Sequence, residues 1–335
     1  MQRDESGIEN RKSKIENRNA LQYVENSLGH KIDVLRIFPK YVYIETINQC
    51  NARCIMCGID FKKKKKEFMS AELFEKIVRE LSPYAEHMER VGLYVDCEPL
   101  LDPDLAYKIE RLKKIGIRKT YLNSNASLMD SEIAEELIRA GLDMIYITID
   151  SMVPKRFESI RRGLKFEAVY RNTVEFIRLR DKLNPNLMIR IQMILQDINR
   201  DEAETFLEHW KPMVSEIDQV TVRQPHNWGS AIDIDVPEDR KLINRFPCIA
   251  LWSTLGIHSN GDVNLCCIDF ANSVPLGNVR QQSIEEIWKG DKLRRIRQMH
   301  LQGHRAEIPI CDGCPVWFDR VDWRQGCGKA DYECK

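Results

Sequence analysis

Three things are missing from this sequence, and each absence removes a class of function. There is no excess of either charge: Lys and Arg total 51, and so do Asp and Glu, for a formal net charge of zero. Bulk nucleic-acid binding needs a net basic face, so that class is set aside, with a local basic patch still allowed. No apolar run approaches the ~20 residues of a membrane span. The opening stretch MQRDESGIENRKSKIENRNA has no apolar core and does not read as a signal peptide. The expectation is a cytoplasmic protein that engages neither membrane nor nucleic acid. Cysteine, by contrast, is plentiful, with 11 in 335 residues. In a reducing compartment these are poor disulfide candidates and better metal ligands, and an odd count pairs badly. The length and a hydrophobic content of 43% allow a real core.

Residues 1–35 are charged and weakly periodic, and read as a tail or a loosely docked helix. From residue 41 a βα rhythm begins. YVYIETI is β-branched and aromatic, as strands are. Ser70 then opens a helix whose Leu73, Phe74, Ile77, Val78 and Leu81 share one face. RVGLYV, IRKTYLN, LDMIYITI, LMIRIQMIL and IDQVTV are the next five strands, with helices near 104–115, 130–140, 166–182 and 201–211 between them. Six strands alternating with helices predict an α/β fold with a parallel sheet, barrel or open, and chemistry at the C-terminal strand ends. This core spans 36–223. Residues 224–247 form a connector with prolines and scattered charge. Residues 248–335 carry short elements, glycines and seven cysteines, and read as a second domain organised by metal.

After the first strand comes ETINQCNARCIMCGID, with Cys50, Cys54 and Cys57 spaced C-x3-C-x2-C. Thiolates are soft ligands for zinc, copper(I) or iron–sulfur clusters. Structural zinc wants four ligands, and this loop offers three, so zinc would need a distant partner. A [4Fe–4S] cube held by three thiolates keeps one iron open. The spacing and its place after strand one resemble the signature of the radical S-adenosylmethionine (radical SAM) superfamily. The resemblance implies a partial (β/α)6 barrel. It also implies that SAM chelates the open iron and is reductively cleaved to a 5'-deoxyadenosyl radical that takes hydrogen from substrate.

The resemblance runs through residues 41–223. VDCEPLLDPDL looks like the family's Gly-Gly-Glu-Pro segment, which gives Glu98 the SAM ammonium. Cys97 stands where glycine is usual, close to SAM and substrate. LNSNA resembles Thr-Asn-Gly and implies Ser124 and Asn125 beside SAM. TIDS resembles Ser-Ile-Asp-Gly and brings Thr148 and Asp150 to the mouth. FESIRRG resembles a segment whose arginine meets the SAM carboxylate, with Arg161 the better match and Arg162 the next. Leu195 matches a position whose backbone meets adenine, and Met56 one that packs beside it.

In the tail, C-x12-G-x4-C followed by C-x2-C resembles the SPASM/twitch extension of radical SAM enzymes. This implies an auxiliary [4Fe–4S] cluster on Cys248, Cys266, Cys311 and Cys314. Cys327 and Cys334 have other spacings, so one auxiliary cluster is expected, with a second and a zinc quartet as alternatives. Cys267 is expected to pack in a strand. Asp269 is a candidate base, as is Asp262, both also ordinary turn residues. His226, with Asn227 and Trp228, is a candidate for the substrate cavity. The lysine run at 62–66 could draw an acidic substrate or lie solvated.

The functional expectation is hydrogen abstraction from a small, sugar-like substrate, with an aminocyclitol as one case. The electron donor would be a flavodoxin or ferredoxin. The outcome would be dehydrogenation, with the auxiliary cluster taking an electron, or epimerisation, with Cys97 returning hydrogen. A peptide- or protein-modifying maturase is the alternative enzyme. A cysteine-rich zinc or electron-transfer module is the alternative that is not an enzyme.

Overall fold

The computed structural model describes residues 20–59, 65–225, 246–312 and 314; His226, Asn227, Trp228, Cys327 and Cys334 lie outside them. Six strands run parallel and pair in chain order: β1 (Tyr41–Ile44), β2 (Arg90–Gly92), β3 (Thr120–Ser124), β4 (Met144–Thr148), β5 (Met188–Ile194) and β6 (Gln219–Arg223). The helices α1 (Ala71–Leu81), α2 (Leu105–Lys114), α3 (Ser131–Arg139), α4 (Phe166–Leu183) and α5 (Ala203–Trp210) lie between them.

The helices form where local chemistry starts and stops them. Ser70 caps α1 by accepting from Leu73 N at 3.3 Å, and Asp130 caps α3 by accepting from Ile133 N at 2.9 Å. Leu73, Phe74, Ile77, Val78 and Leu81 are buried as one stripe, and Ala134, Leu137 and Ile138 as another. Each fully buried aliphatic of this kind contributes about 1.5–3 kcal/mol.

Parallel strands buried on both faces usually read as unbroken aliphatic runs. These do not. Val42, Ile44, Val91, Leu122, Ile145, Ile147, Ile189 and Ile191 belong to the main core. Their alternating neighbours Tyr41, Tyr43, Arg90, Tyr121, Tyr146, Thr148, Arg190 and Gln192 line a cavity instead. Lining drawn from all six strands means that the sheet curls around that space. Gly92 marks the curl: a Cβ there would sit 2.6 Å from the Tyr43 ring.

The tail adds to the same sheet. β7 (Thr254–Ile257) runs parallel to β1 on its free side, pairing Tyr41 with Thr254 and Ile44 with Ile257. β8 (Asp262–Asn264) and β9 (Gly277–Asn278) follow antiparallel, giving the nine-stranded order β9-β8-β7-β1-β2-β3-β4-β5-β6. The cysteine-rich tail therefore shares hydrogen bonds and core with the βα repeat. Trp288, fully buried, donates from its indole nitrogen to Leu35 O at 3.2 Å.

Candidate active site

The cysteine loop leaves β1 at its C-terminal end and is tied down by its neighbours. Arg53 donates to the carbonyls of Cys50 and Ala52, both at 2.7 Å. Arg53 and Cys54 pair as a two-residue ribbon with Arg162 and Arg161. Ile55 N reaches Ile160 O at 3.0 Å, and Cys57 N closes a turn on Cys54 O at 3.1 Å. Gly163 permits this approach: its φ is 95°, and a Cβ there would meet Asn51 O at 2.9 Å.

Cys50, Cys54 and Cys57 are free, half-buried thiols that open on the cavity of about 430 Å³. Burial pushes the Cys50 thiol up to about 12, with Glu98, Cys54 and Cys57 adding to it. Burial also raises Cys57. Three thiols this close resist joint ionisation unless a cationic group takes their charge, so the donor set fits a metal cluster.

The other strand ends complete the rim. Glu98 is almost fully buried. It accepts from Ser124 Oγ at 2.7 Å, Asn125 N at 2.8 Å and Leu100 N at 3.2 Å. Burial raises its pKa, and these three donors work against the rise. Asn125 Nδ2 donates to Asn51 Oδ1 at 2.9 Å, joining this rim to the cysteine loop. Thr148 accepts from Gln192 Nε2 at 3.0 Å. Arg161 donates from Nε to the buried Asp150 at 2.6 Å, and Asp150 also accepts from Ile194 N at 2.7 Å. Burial disfavours the Arg161 charge, but Asp150 and the Cys54 and Cys50 thiols outweigh it and hold the guanidinium above its ordinary value. Met56, Cys97, Glu98, Ser124, Asn125, Thr148 and Arg161 all line the one cavity. Arg162 is exposed. The side chain of Leu195 is packed in the core, and its neighbour Ile194 lines the cavity. Cys97 is half-buried, with its thiol on the inner side, and burial, followed by Glu45, holds that thiol well above the usual value.

The four tail cysteines also gather. The Cys311 thiol is raised by burial and then by Cys248, with Cys314 also contributing. The Cys266 thiol is raised by burial and then by Cys267, Cys314 and Cys311. Buried Arg305 donates to Cys311 O at 3.0 Å and Cys314 O at 2.8 Å, while Cys248 N donates to His300 Nδ1 at 3.1 Å. Burial, with Arg305 nearby, pushes His300 down to about 3, so it stays neutral and can accept that bond.

Two expectations need correction. Asp269 does not sit as a base: it is fully buried and its carboxylate accepts from Ser273 N and Oγ, both at 2.7 Å, and from Val274 N at 3.0 Å. Those bonds fold the turn behind Cys266, and Asp269 is not among the cavity-lining residues. Cys267 lies in that turn rather than in a strand, and it lines the cavity. Glu45, Asp96 and His258, none of them singled out by motif, place ligand-type atoms within 4.8 Å of one another. His258 Nδ1 lies 3.3 Å from Glu45 Oε2, which also accepts from Ser259 N at 3.1 Å, so the pair fastens the tail strand to β1.

The family model described as "Radical SAM superfamily" matches residues 44–209, and one described as "Iron-sulfur cluster-binding domain" matches 248–315. The chain belongs to the radical SAM superfamily. It carries the SPASM iron–sulfur domain at its C-terminal side, and with this membership come SAM and [4Fe–4S] clusters as cofactors. A GTP 3',8-cyclase of Clostridium botulinum is 30% identical over 185 residues, 53% of each chain. The chain thus spans about half the length of the cyclases it matches. An S-adenosyl-L-methionine-dependent 2-deoxy-scyllo-inosamine dehydrogenase of Niallia circulans is 22% identical over 275 residues, 82% of this chain and 91% of that one. Among solved structures, BtrN in complex with AdoMet and 2-DOIA has a TM-score of 0.56 at 18% identity, covering 83% of this chain and 93% of that one. SuiB of Streptococcus suis bound to precursor peptide SuiA has 0.63 at 14%, covering 85% and 71%. At these identities the structural likeness is one of fold. Among the described residues, no helix is long and apolar enough to cross a membrane.

Proposed function

We propose that this chain is an oxidoreductase or epimerase that abstracts hydrogen from a small, polyhydroxylated substrate held in the cavity between the strand ends and the tail. One observation carries the reading: a single cavity of about 430 Å³ touches the three-cysteine loop, Cys97 and a polar floor at once. The Niallia circulans dehydrogenase, which this chain matches along most of both lengths, acts on an aminocyclitol by its name.

Cys50, Cys54 and Cys57 would hold the SAM-binding cluster, and Cys248, Cys266, Cys311 and Cys314 the auxiliary one. When bound and reduced by a flavodoxin or ferredoxin, the first cluster supplies reductive cleavage of SAM and so the hydrogen-abstracting species. The chain's own residues do the positioning. Glu98, oriented by Ser124 and the Asn125 and Leu100 amides, presents its carboxylate to the SAM ammonium. Arg161, fixed by Asp150, serves the SAM carboxylate. Thr148, Asn125, Met56 and the end of β5 at Ile194 and Leu195 form the rest of that wall. Cys97 stays a neutral thiol at ordinary pH, which is the form that can give up a hydrogen atom. The tail contributes Cys267 and Ile268 to the cavity lining, opposite the strand ends.

The test uses anaerobically reconstituted protein, reductant, SAM and carbon-deuterated polyols. The expected result is deuterium in 5'-deoxyadenosine. Reductive SAM cleavage with deuterium transfer from peptides and from no polyol would overturn the small-molecule reading.

A further inference from the structure

Below the cysteine loop the cavity has a floor that the chemistry above does not use. Tyr41, Tyr43, Tyr121 and Tyr146 form a buried aromatic cluster separate from the aliphatic core. Two guanidinium groups lie on it. Arg90 sits 4.8 Å from the centre of the Tyr121 ring and 5.2 Å from that of Tyr41, and Arg190 sits 4.3 Å from that of Tyr146. The Tyr121 and Tyr146 rings themselves meet edge-on at 4.6 Å. The two cations therefore flank one pair of rings, and both line the cavity while only 8% and 7% exposed.

Polar contacts hold both groups in place. Arg190 donates to Gln219 Oε1 from Nε at 2.7 Å and also from Nη2, and Arg90 Nη2 reaches Tyr43 OH at 3.5 Å. Both arginines stand on strands of the sheet, so their positions are set by ladder hydrogen bonds rather than by a loop. Arg223, at the end of β6, lines the same space. Both guanidinium groups stand at low exposure on one cavity wall, against aromatic faces that favour a cation. A guanidinium carries five N–H donors, so each group can keep its protein partner on one edge and still present donors to an oxyanion, the acceptor its planar geometry suits best.

We propose that the Arg90–Arg190 floor binds an anionic oxyacid group, phosphate or carboxylate, on the substrate. The substrate is then a sugar-like molecule that carries such a group, rather than a neutral or aminated polyol. This rests on the cavity being the site of a small polyol, as proposed above.

The experiment is calorimetric titration of the anaerobically reconstituted full chain with SAM present. The probes are myo-inositol, myo-inositol 1-phosphate, glucuronate and inorganic phosphate. The expected result is that an anionic probe binds at least tenfold more tightly than myo-inositol. R90Q and R190Q should each remove at least tenfold of that advantage, while R178Q, on the exposed face of α4, should remove none. R90K and R190K keep the charge but lose the fork, and should fall between wild type and the Gln variants; they replace the Gln variants if those do not fold. Preference for inositol phosphate or for glucuronate identifies the oxyacid. Inositol bound as tightly as its phosphate overturns the floor and leaves the polyol reading standing. Arginine-dependent binding of inorganic phosphate, with no gain from the inositol ring, sustains the floor and counts against the polyol. Gln and Lys variants that all bind like wild type overturn the floor.

Discussion

The two cysteine centres of this chain are built in opposite ways. The first has three half-buried thiols on a loop at the lip of a cavity, tied by main-chain bonds and by the Arg53 guanidinium. The second has four thiols, two of them 8% exposed, with the carbonyls of its C-x2-C turn clamped by the buried Arg305. On the function proposed above, the first would leave a position open and the second would close around its load. The difference would then separate two roles for the same ligand type: a centre that meets a small molecule, and a centre that holds a fold together and passes charge.

The largest expected effect comes from breaking the first centre alone. The C50A/C54A/C57A variant should lose reductive SAM cleavage to background while keeping its tail cluster. Its iron content should fall from about eight to about four per chain. The C311A/C314A variant should show the reverse, with SAM cleavage retained and the tail iron lost. Because the tail supplies β7, β8 and β9 to the shared sheet, this second variant should also unfold at lower temperature. Formation of 5'-deoxyadenosine by the triple variant would end the assignment of the open site, and about twelve irons in wild type would require a third cluster.

The next effect is on the tail clamp. Arg305→Gln removes charge-assisted bonds to two buried carbonyls, a loss of about 2–4 kcal/mol. Denaturant titration of the loaded protein should read it, with faster loss of iron to a chelator. No change in either would mean that the C-x2-C turn is fixed by its own main-chain bonds, Cys311 N to Ile308 O at 2.8 Å and Cys314 N to Cys311 O at 3.4 Å.

These centres were legible in the sequence because metal ligation fixes spacing along the chain. The six strands and five helices were legible because each helix has a polar outer face and each strand begins and ends on clear breaks. Other features were hidden for physical reasons. β7 pairs with β1 across more than 200 residues of chain, and nothing local in TLGI marks it as an extension of the first sheet. The Glu45–His258 contact depends on that pairing. Asp269 looked available because turn residues usually are, and only the folded turn reveals Ser273 and Val274 taking both of its oxygens. The polar floor was readable: Tyr, Arg and Gln alternate with Val and Ile through YVYI, MIYIT and MIRIQMI, a pattern that a doubly covered parallel sheet does not need.

A smaller effect, confined to the product, separates dehydrogenation from epimerisation. If Cys97 returns hydrogen, Cys97→Ser and Cys97→Ala should still form 5'-deoxyadenosine but lose the hydrogen-returned product. Mass spectrometry in deuterated water reads this directly, since wild type would carry solvent deuterium into product and the variants would not. Product formed by both variants at the wild-type rate would make Cys97 a space-filling side chain and favour dehydrogenation.

The last effect, read as a pH dependence, tests whether the βα core is held by interactions that need no metal. Arg180 and Asp218 are both fully buried side chains, joined by Nη1 to Oδ1 at 2.8 Å and Nη2 to Oδ2 at 2.5 Å. Burial alone would raise the Asp218 pKa, but Arg180 and the amides of Ile189 and Ser215 reverse this and leave it below the usual carboxylate value. A depressed carboxylate means that the unfolded chain binds the extra proton first, so stability falls with pH in that range. The contribution is fully present above the unfolded value of about 3.9 and is lost as pH falls through the folded value below it. Asp218→Asn should therefore be less stable than wild type at neutral pH, with the gap closing as pH drops below about 4. The comparison belongs in protein already stripped of iron, so that acid release of the clusters does not enter. A gap that stays constant from neutral pH to the acid limit would mean that the pair holds the core by shape and hydrogen bonding and not by charge.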